Sequence, residues 1–161
     1  MLPDVPATER LGATIGRHCP WGPHGPRCVF LSGDLGTGKT TVAAALLQAV
    51  GVTDTVRSPT YAMVETYAVS NGLAVHVDLY RLTGADEIAQ LGLRDYLRAN
   101  TLIVLEWPER AAGSLPQPDL QLRLQVAGQG RVCLASAGSA FGEAWLALVE
   151  RELTPAPSDL S

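Results

Sequence analysis

The segment Gly33-Asp34-Leu35-Gly36-Thr37-Gly38-Lys39-Thr40 constrains this chain more than any other. It satisfies G-x-x-x-x-G-K-[ST] at each fixed position, a pattern that requires a strand before it and a helix after it. Both flanks comply. Cys28-Val29-Phe30-Leu31 is a short apolar run of the kind a buried parallel strand carries. Thr40 to Val50 is rich in helix formers, and Gly51 stands where such a helix stops. The glycines allow positive φ and bring backbone N–H groups close to phosphates. Lys39 supplies a flexible cation for the outer phosphates, and Thr40 offers a hydroxyl to Mg²⁺, which takes few protein ligands. The phosphates would lie at the positive end of the helix. The plainer account, a glycine-rich turn that matches by chance, leaves the strand and helix unexplained.

Such a loop needs a carboxylate at the end of a neighbouring strand to hold or orient the metal shell. Glu106 ends the apolar run Leu102 to Leu105, and an acid there needs a partner. Asp78 lies in Val75-His76-Val77-Asp78-Leu79-Tyr80-Arg81, where it reads either as the second acid or as an outward residue on a half-exposed strand. Trp107 either caps the core or lies against the nucleotide. Arg57-Ser58-Pro59-Thr60 follows the helix, at the place where P-loop switches sense the γ-phosphate, although Pro59 also suits an ordinary turn.

At 161 residues the chain is one domain, expected over 1–153 with a disordered tail at 154–161. Its net charge of −4 provides no broad cationic field, so DNA binding is not expected. No run reaches the roughly 18 apolar residues of a membrane helix. No signal-peptide pattern opens the chain. Three cysteines, irregularly spaced, suit a reducing compartment, so a cytoplasmic location is expected. His18, Cys19, His24 and Cys28 are metal-ligand types, but their spacing matches no common zinc pattern, and a proline- and glycine-rich connector explains them better.

The remaining elements follow from periodicity. Leu11 to Ile15 lies on an opening helix. "TYAMVETYAV" and "LAVHVDLY", joined by Ser-Asn-Gly, read as a hairpin. "GADEIAQLGLRDYLRA" is helical in two pieces broken at Gly92, and "TLIVLEW" is a buried strand ended by Pro108. "DLQLRLQV" and "RVCLA" pair across "AGQG". A last amphipathic helix carries Phe141, Trp145, Leu148 and Val149 on one face. The fold class is α/β: a P-loop NTPase-like sheet of mixed parallel and antiparallel strands flanked by helices.

"GDLGTGKTT", "SPTY", "HVDLYRL", "LGLRDYL" and "LEWPER" occur in the order and approximate spacing of the bacterial TsaE (YjeE) family, which the chain resembles from about Ala7 to about Glu150. That resemblance implies an accessory ATPase using ATP/ADP and Mg²⁺. It would dock on the TsaB and TsaD proteins and support threonylcarbamoyl transfer to adenosine 37 of tRNA, meeting tRNA only through the complex. By the same resemblance Gly33 opens the loop and Gly36, Thr37, Gly38, Lys39, Thr40 and Thr41 wrap the phosphates. Thr40 and Glu106 are metal ligands, and Lys39, Asp78 and Glu106 are catalytic. Ser58, Pro59, Thr60 and Tyr61 form a switch-like segment. Thr8, Trp107 and Arg131 complete the nucleotide contacts, Arg131 near the base.

Other function classes fit less well. A GTPase would carry an Asn-Lys-x-Asp guanine reader, and the sequence has none. A small P-loop kinase or nucleotide-dependent switch remains the alternative. Arg81, Arg94 and Arg98 are too scattered for a kinase lid, and no arginine finger is apparent beside the loop.

Overall fold

A computed structural model describes residues 1–154, the side chain of Ala85 excepted. The tail expected from 154 lies, beyond its first residue, outside the described residues. The elements are α1 (Val5–Arg17), β1 (Arg27–Ser32), α2 (Lys39–Ala49), β2 (Val64–Val69), β3 (Gly72–Asp78), α3 (Ala85–Gln90), β4 (Thr101–Glu106), β5 (Leu120–Ala127), β6 (Gly130–Ala137) and α4 (Ala140–Leu153). Single 3-10 turns at Leu93–Tyr96 and Pro108–Ala111 flank β4.

Among the described residues the strands form one six-stranded sheet, in the order β2-β3-β4-β1-β5-β6. The four inner strands are parallel, and each edge is an antiparallel hairpin partner. The mixed sheet is therefore the one its sequence calls for. Local chemistry explains the breaks. Gly92 takes φ 64°, a left-handed conformation that separates α3 from the following turn. Gly72 closes the β2–β3 hairpin beside Asn100, whose carbonyl leaves no room for a Cβ.

Strand side chains alternate between two faces, and the core divides accordingly. Val29 and Leu31 of β1, Leu102 and Val104 of β4 and Ala74 of β3 join Val42, Leu46 and Leu47 of α2, Ile15 of α1 and Trp145 of α4. Cys28, Phe30, Val75, Val77, Ile103 and Leu105 face the other way, under Ile88, Leu93 and Ala111. This period of two puts His76, Asp78 and Glu106 on the α2 face. Parallel register then aligns Asp78 with Glu106, and Glu106 with Leu31, at the carboxyl ends of β3, β4 and β1. A ligand crevice in an open α/β sheet forms at these ends.

The last helix departs from its sequence reading. Its buried stripe is Gly142, Trp145 and Val149, whereas Phe141 and Leu148 are exposed. Gly142 lies too close to the Asp119 carbonyl for any side chain, so the helix turns that edge inward. Phe141 instead stacks on His24, 6.4 Å between centroids, with the Arg27 guanidinium 3.9 Å from its ring. His18 contacts Glu152 and Cys28 is buried in β1, so the early His/Cys residues go separate ways. Among the described residues no group of three such side chains is placed to hold a metal ion.

Candidate functional site

β1 ends in the middle of the sheet, between β4 and β5, and the chain turns from it into α2 through Gly33–Gly38. Two glycines make that turn possible. Gly33, at φ 136°, faces the Leu124 carbonyl, which a Cβ would approach within 2.2 Å. Gly38, at φ 100° in the left-handed region, is the N-cap of α2 and provides no side-chain acceptor. The leading amides of α2 thus lack a side-chain cap, and the helix presents its positive end to the cleft.

Lys39 is buried along the loop. Its Nζ donates to the Gly33 carbonyl at 2.7 Å and the Asp34 carbonyl at 2.8 Å, and lies 4.1 Å from the Trp107 ring centroid. Burial holds its pKa below the ordinary lysine value, against the opposing pull of Glu106, Glu109, Asp78 and Asp34. Thr37 is buried too, and its hydroxyl donates to the Asp34 carbonyl at 2.8 Å. Its side chain therefore braces the loop from within.

The acids converge beside Lys39. The Thr40 hydroxyl donates to Glu106, 2.9 Å from Oε2 and 3.2 Å from Oε1. Buried His76 places Nε2 2.8 Å from the same Oε1. Asp78, also buried, accepts the Tyr80 amide at 2.9 Å on Oδ1 and the Ser58 hydroxyl on Oδ2. Tyr80 packs against Trp107 at 5.0 Å. A hydroxyl and a carboxylate side by side form an all-oxygen donor set, the chemistry a hard cation such as Mg²⁺ takes while keeping several waters. Thr40 and Glu106 therefore fit that ion.

A cleft of about 420 Å³ gathers Leu35, Gly36, Gly38, Lys39, Thr40, Thr41, Ser58, Thr60, Asp78, Tyr80, Glu106, Trp107 and Arg131. Several candidates stand apart from it. Gly33 lies behind the loop and Pro59 is buried. Tyr61 is 84% exposed, with the Arg81 guanidinium 4.4 Å from its ring. Thr8 is buried, gives its hydroxyl to the Asp4 carbonyl, and turns its methyl towards Gly38.

Arg131, expected near the base by the family resemblance, lies beside the loop itself. Arg131 donates to the Gly36 carbonyl at 3.3 Å and also lies against Gly38. Pairing of β6 with β5, and of β5 with β1, brings it there, and a two-residue bridge between Leu2 and Arg131 pins its backbone. His76 and Tyr80 were missed as site residues. The available signal was strand alternation, since positions 76 and 78 share one face.

Fold and site together define an α/β protein with a P-loop NTPase-like sheet, its glycine-rich loop flanked by acids from two neighbouring strands. A family model described as "Threonylcarbamoyl adenosine biosynthesis protein TsaE" matches residues 2–133, and the chain belongs to that family. It is 39% identical over 103 residues to a protein of Haemophilus influenzae named tRNA threonylcarbamoyladenosine biosynthesis protein TsaE, covering 64% of this chain and 65% of that one. A Treponema pallidum protein of the same name is 30% identical over 123 residues, or 76% of this chain and 87% of that one. The chain spans 65% of the length of the Haemophilus influenzae relative and 62% of that of a Rickettsia felis relative. The crystal structure of Bacillus subtilis YdiB has the same fold, with a TM-score of 0.69 at 22% identity over 92% of this chain and 90% of that one. No described helix is long and apolar enough to cross a membrane.

Proposed function

We propose that this chain binds ATP with Mg²⁺ and hydrolyses it, as an accessory ATPase supporting threonylcarbamoyl transfer to tRNA by docking on TsaB and TsaD. The observation that carries this reading is the Thr40–Glu106 contact at 2.9 Å, formed over an uncapped helix N-terminus with Lys39 and Asp78 beside it. Thr40 and Glu106 would hold the metal, which when bound neutralises charge on the transferring phosphoryl group.

The remaining roles belong to the chain's own groups. The amides from Gly36 to Thr41 cradle the phosphates. Lys39 exchanges its two carbonyl partners for phosphate oxygens. Asp78 is a carboxylate placed to orient an attacking water, and Ser58 ties the segment from 58 to 61 to that acid. Arg131 flanks the loop at Gly36, and its guanidinium already has a carbonyl partner there. A transition-state cation supplied in trans is worth about 10³–10⁵ in rate, so hydrolysis by the chain alone is expected to be slow. Phosphate release measured with ATP, with and without the TsaB–TsaD heterodimer, tests the proposal. Slow turnover accelerated by the heterodimer and lost in Glu106→Ala supports it. Fast turnover alone, indifferent to the heterodimer, contradicts it and favours a self-contained kinase or hydrolase.

A further inference from the structure

We infer that His76 is a positioning residue for the nucleotide site: it donates from Nε2 to Glu106 Oε1 and so holds the carboxylate with its other oxygen on Thr40. The inference rests on the ATPase reading above.

His76 is fully buried within β3, on the face that carries Asp78 and Glu106. Opposite it in register is Val104, so it lies one alternate position behind the two acids and reaches Glu106 from beneath. Nε2 is 2.8 Å from Oε1. Facing an ionised carboxylate, which only accepts, Nε2 is assigned the proton, because a bare nitrogen there would oppose two lone pairs.

Nδ1 has no partner among the described residues. Buried polar atoms are almost always partnered, so packing alone does not account for a histidine at this position. An aliphatic side chain would fill much of the space with no orphaned nitrogen. The contact that distinguishes histidine here is the one to Glu106.

That contact has a task. The last torsion of a glutamate is broad and roughly two-fold, so an unanchored carboxylate rotates freely. Lys39 lies close enough to attract it. With Oε1 held by His76 and Oε2 by Thr40, Glu106 bridges β3 and the first turn of α2. The plane of the carboxylate is thereby set before any ligand arrives. Partners that orient a metal-binding carboxylate typically change metal affinity 10–100-fold when removed.

The test is calorimetric titration of ADP into the full chain, in Mg²⁺ and again in chelator, for wild type, His76→Leu and His76→Gln. The expected result is a loss of about 10-fold or more of the magnesium-dependent gain in His76→Leu, with affinity in chelator unchanged. His76→Gln, which keeps an N–H donor, is expected to recover part of the gain. Nitrogen-15 imidazole spectra of the ligand-free wild type supply a second readout, and a proton on Nε2 is expected. A His76→Leu variant that gains as much from magnesium as wild type overturns the assignment. So does an equal loss with and without metal, or a proton found only on Nδ1. A wild type that gains nothing from magnesium overturns the ATPase reading and this assignment with it.

Discussion

Replacing Gly12 by alanine tests how α1 holds the Gly33–Gly38 loop in place. Gly12 and Gly16 form a row along which α1 lies directly on the backbone of α2. A Cβ on Gly12 would stand 2.3 Å from the Val42 carbonyl oxygen and 3.0 Å from the Ala45 Cβ. On Gly16 it would stand 2.5 Å from the Leu46 oxygen and 2.7 Å from the Ala49 Cβ. The shortest favourable carbon–oxygen contacts are about 3.3 Å, so α1 must retreat by about 1 Å. The carbonyl cannot yield, because it belongs to the interior of α2. Overpacking of this kind costs about 1–3 kcal/mol, and alanine returns up to about 1 kcal/mol through helix propensity. The net expectation is a loss of about 1–2 kcal/mol, which in a domain of this size lowers Tm by roughly 2–8 °C. The site should respond as well, because Thr8 of α1 turns its methyl towards Gly38, where a Cβ would come within 3.3 Å. Retreat of α1 removes that wall, so ADP affinity should fall alongside stability. Calorimetric melting and an ADP isotherm measure the two effects. Gly22→Ala is the control, since a Cβ there meets nothing within 4 Å. A Gly12→Ala protein that melts at or above the wild-type temperature would refute the reasoning, because propensity alone would then have decided the outcome.

Three further expectations concern the rest of the molecule. Asp119 accepts the Cys28 amide at 2.8 Å and the hydroxyl of Ser139, the N-cap of α4, so Asp119→Ala should cost about 2 kcal/mol by orphaning a buried amide; an unchanged denaturation midpoint would count against this. Burial pushes the thiols of Cys19 and Cys28 up to about 12 and that of Cys133 to about 11, from 9.0. The folded chain then keeps protons that the unfolded chain releases between about pH 9 and 12, so stability should fall as pH rises through that window. At pH 8 a disulfide reagent should label the three thiols slowly until guanidinium is added, and labelling within the mixing time would be the contrary result. Because the Lys39 ammonium sits over Trp107, its transfer to phosphate should change the emission of a protein whose Trp21 and Trp145 are phenylalanine, whereas a spectrum indifferent to saturating ADP would remove Trp107 from the site.

Features set by neighbours in the chain were legible in the sequence. The loop, its strand and helix, the Ser70-Asn71-Gly72 hairpin and the Gly92 break each follow from backbone chemistry within a few residues. Glu106 was legible because it ends an apolar run; Asp78 had two readings, and parallel register beside Glu106 puts it with the second acid. What escaped depends on packing between distant segments. Arg131 was named only through the family resemblance, and its contact with Gly36 spans 95 residues, through two strand pairings that no local pattern specifies. His76 reads as one more strand residue until β4 lies beside it and Glu106 arrives within 2.8 Å. The face of α4 was misjudged because a helical stripe leaves its rotation open by a fraction of a turn. Gly142 against the Asp119 carbonyl settles that rotation.

The most direct test of the account compares Lys39→Ala with wild type in calorimetric titrations of ATP in Mg²⁺. Lys39 is the buried cation of the loop, held 2.7 Å from Gly33 O and 2.8 Å from Asp34 O, next to both acids. If the loop binds phosphates, its removal should weaken binding by at least 10-fold, at the 1.4 kcal/mol per decade that governs affinity, with the fold intact by circular dichroism. Matching isotherms for the two proteins would contradict the account.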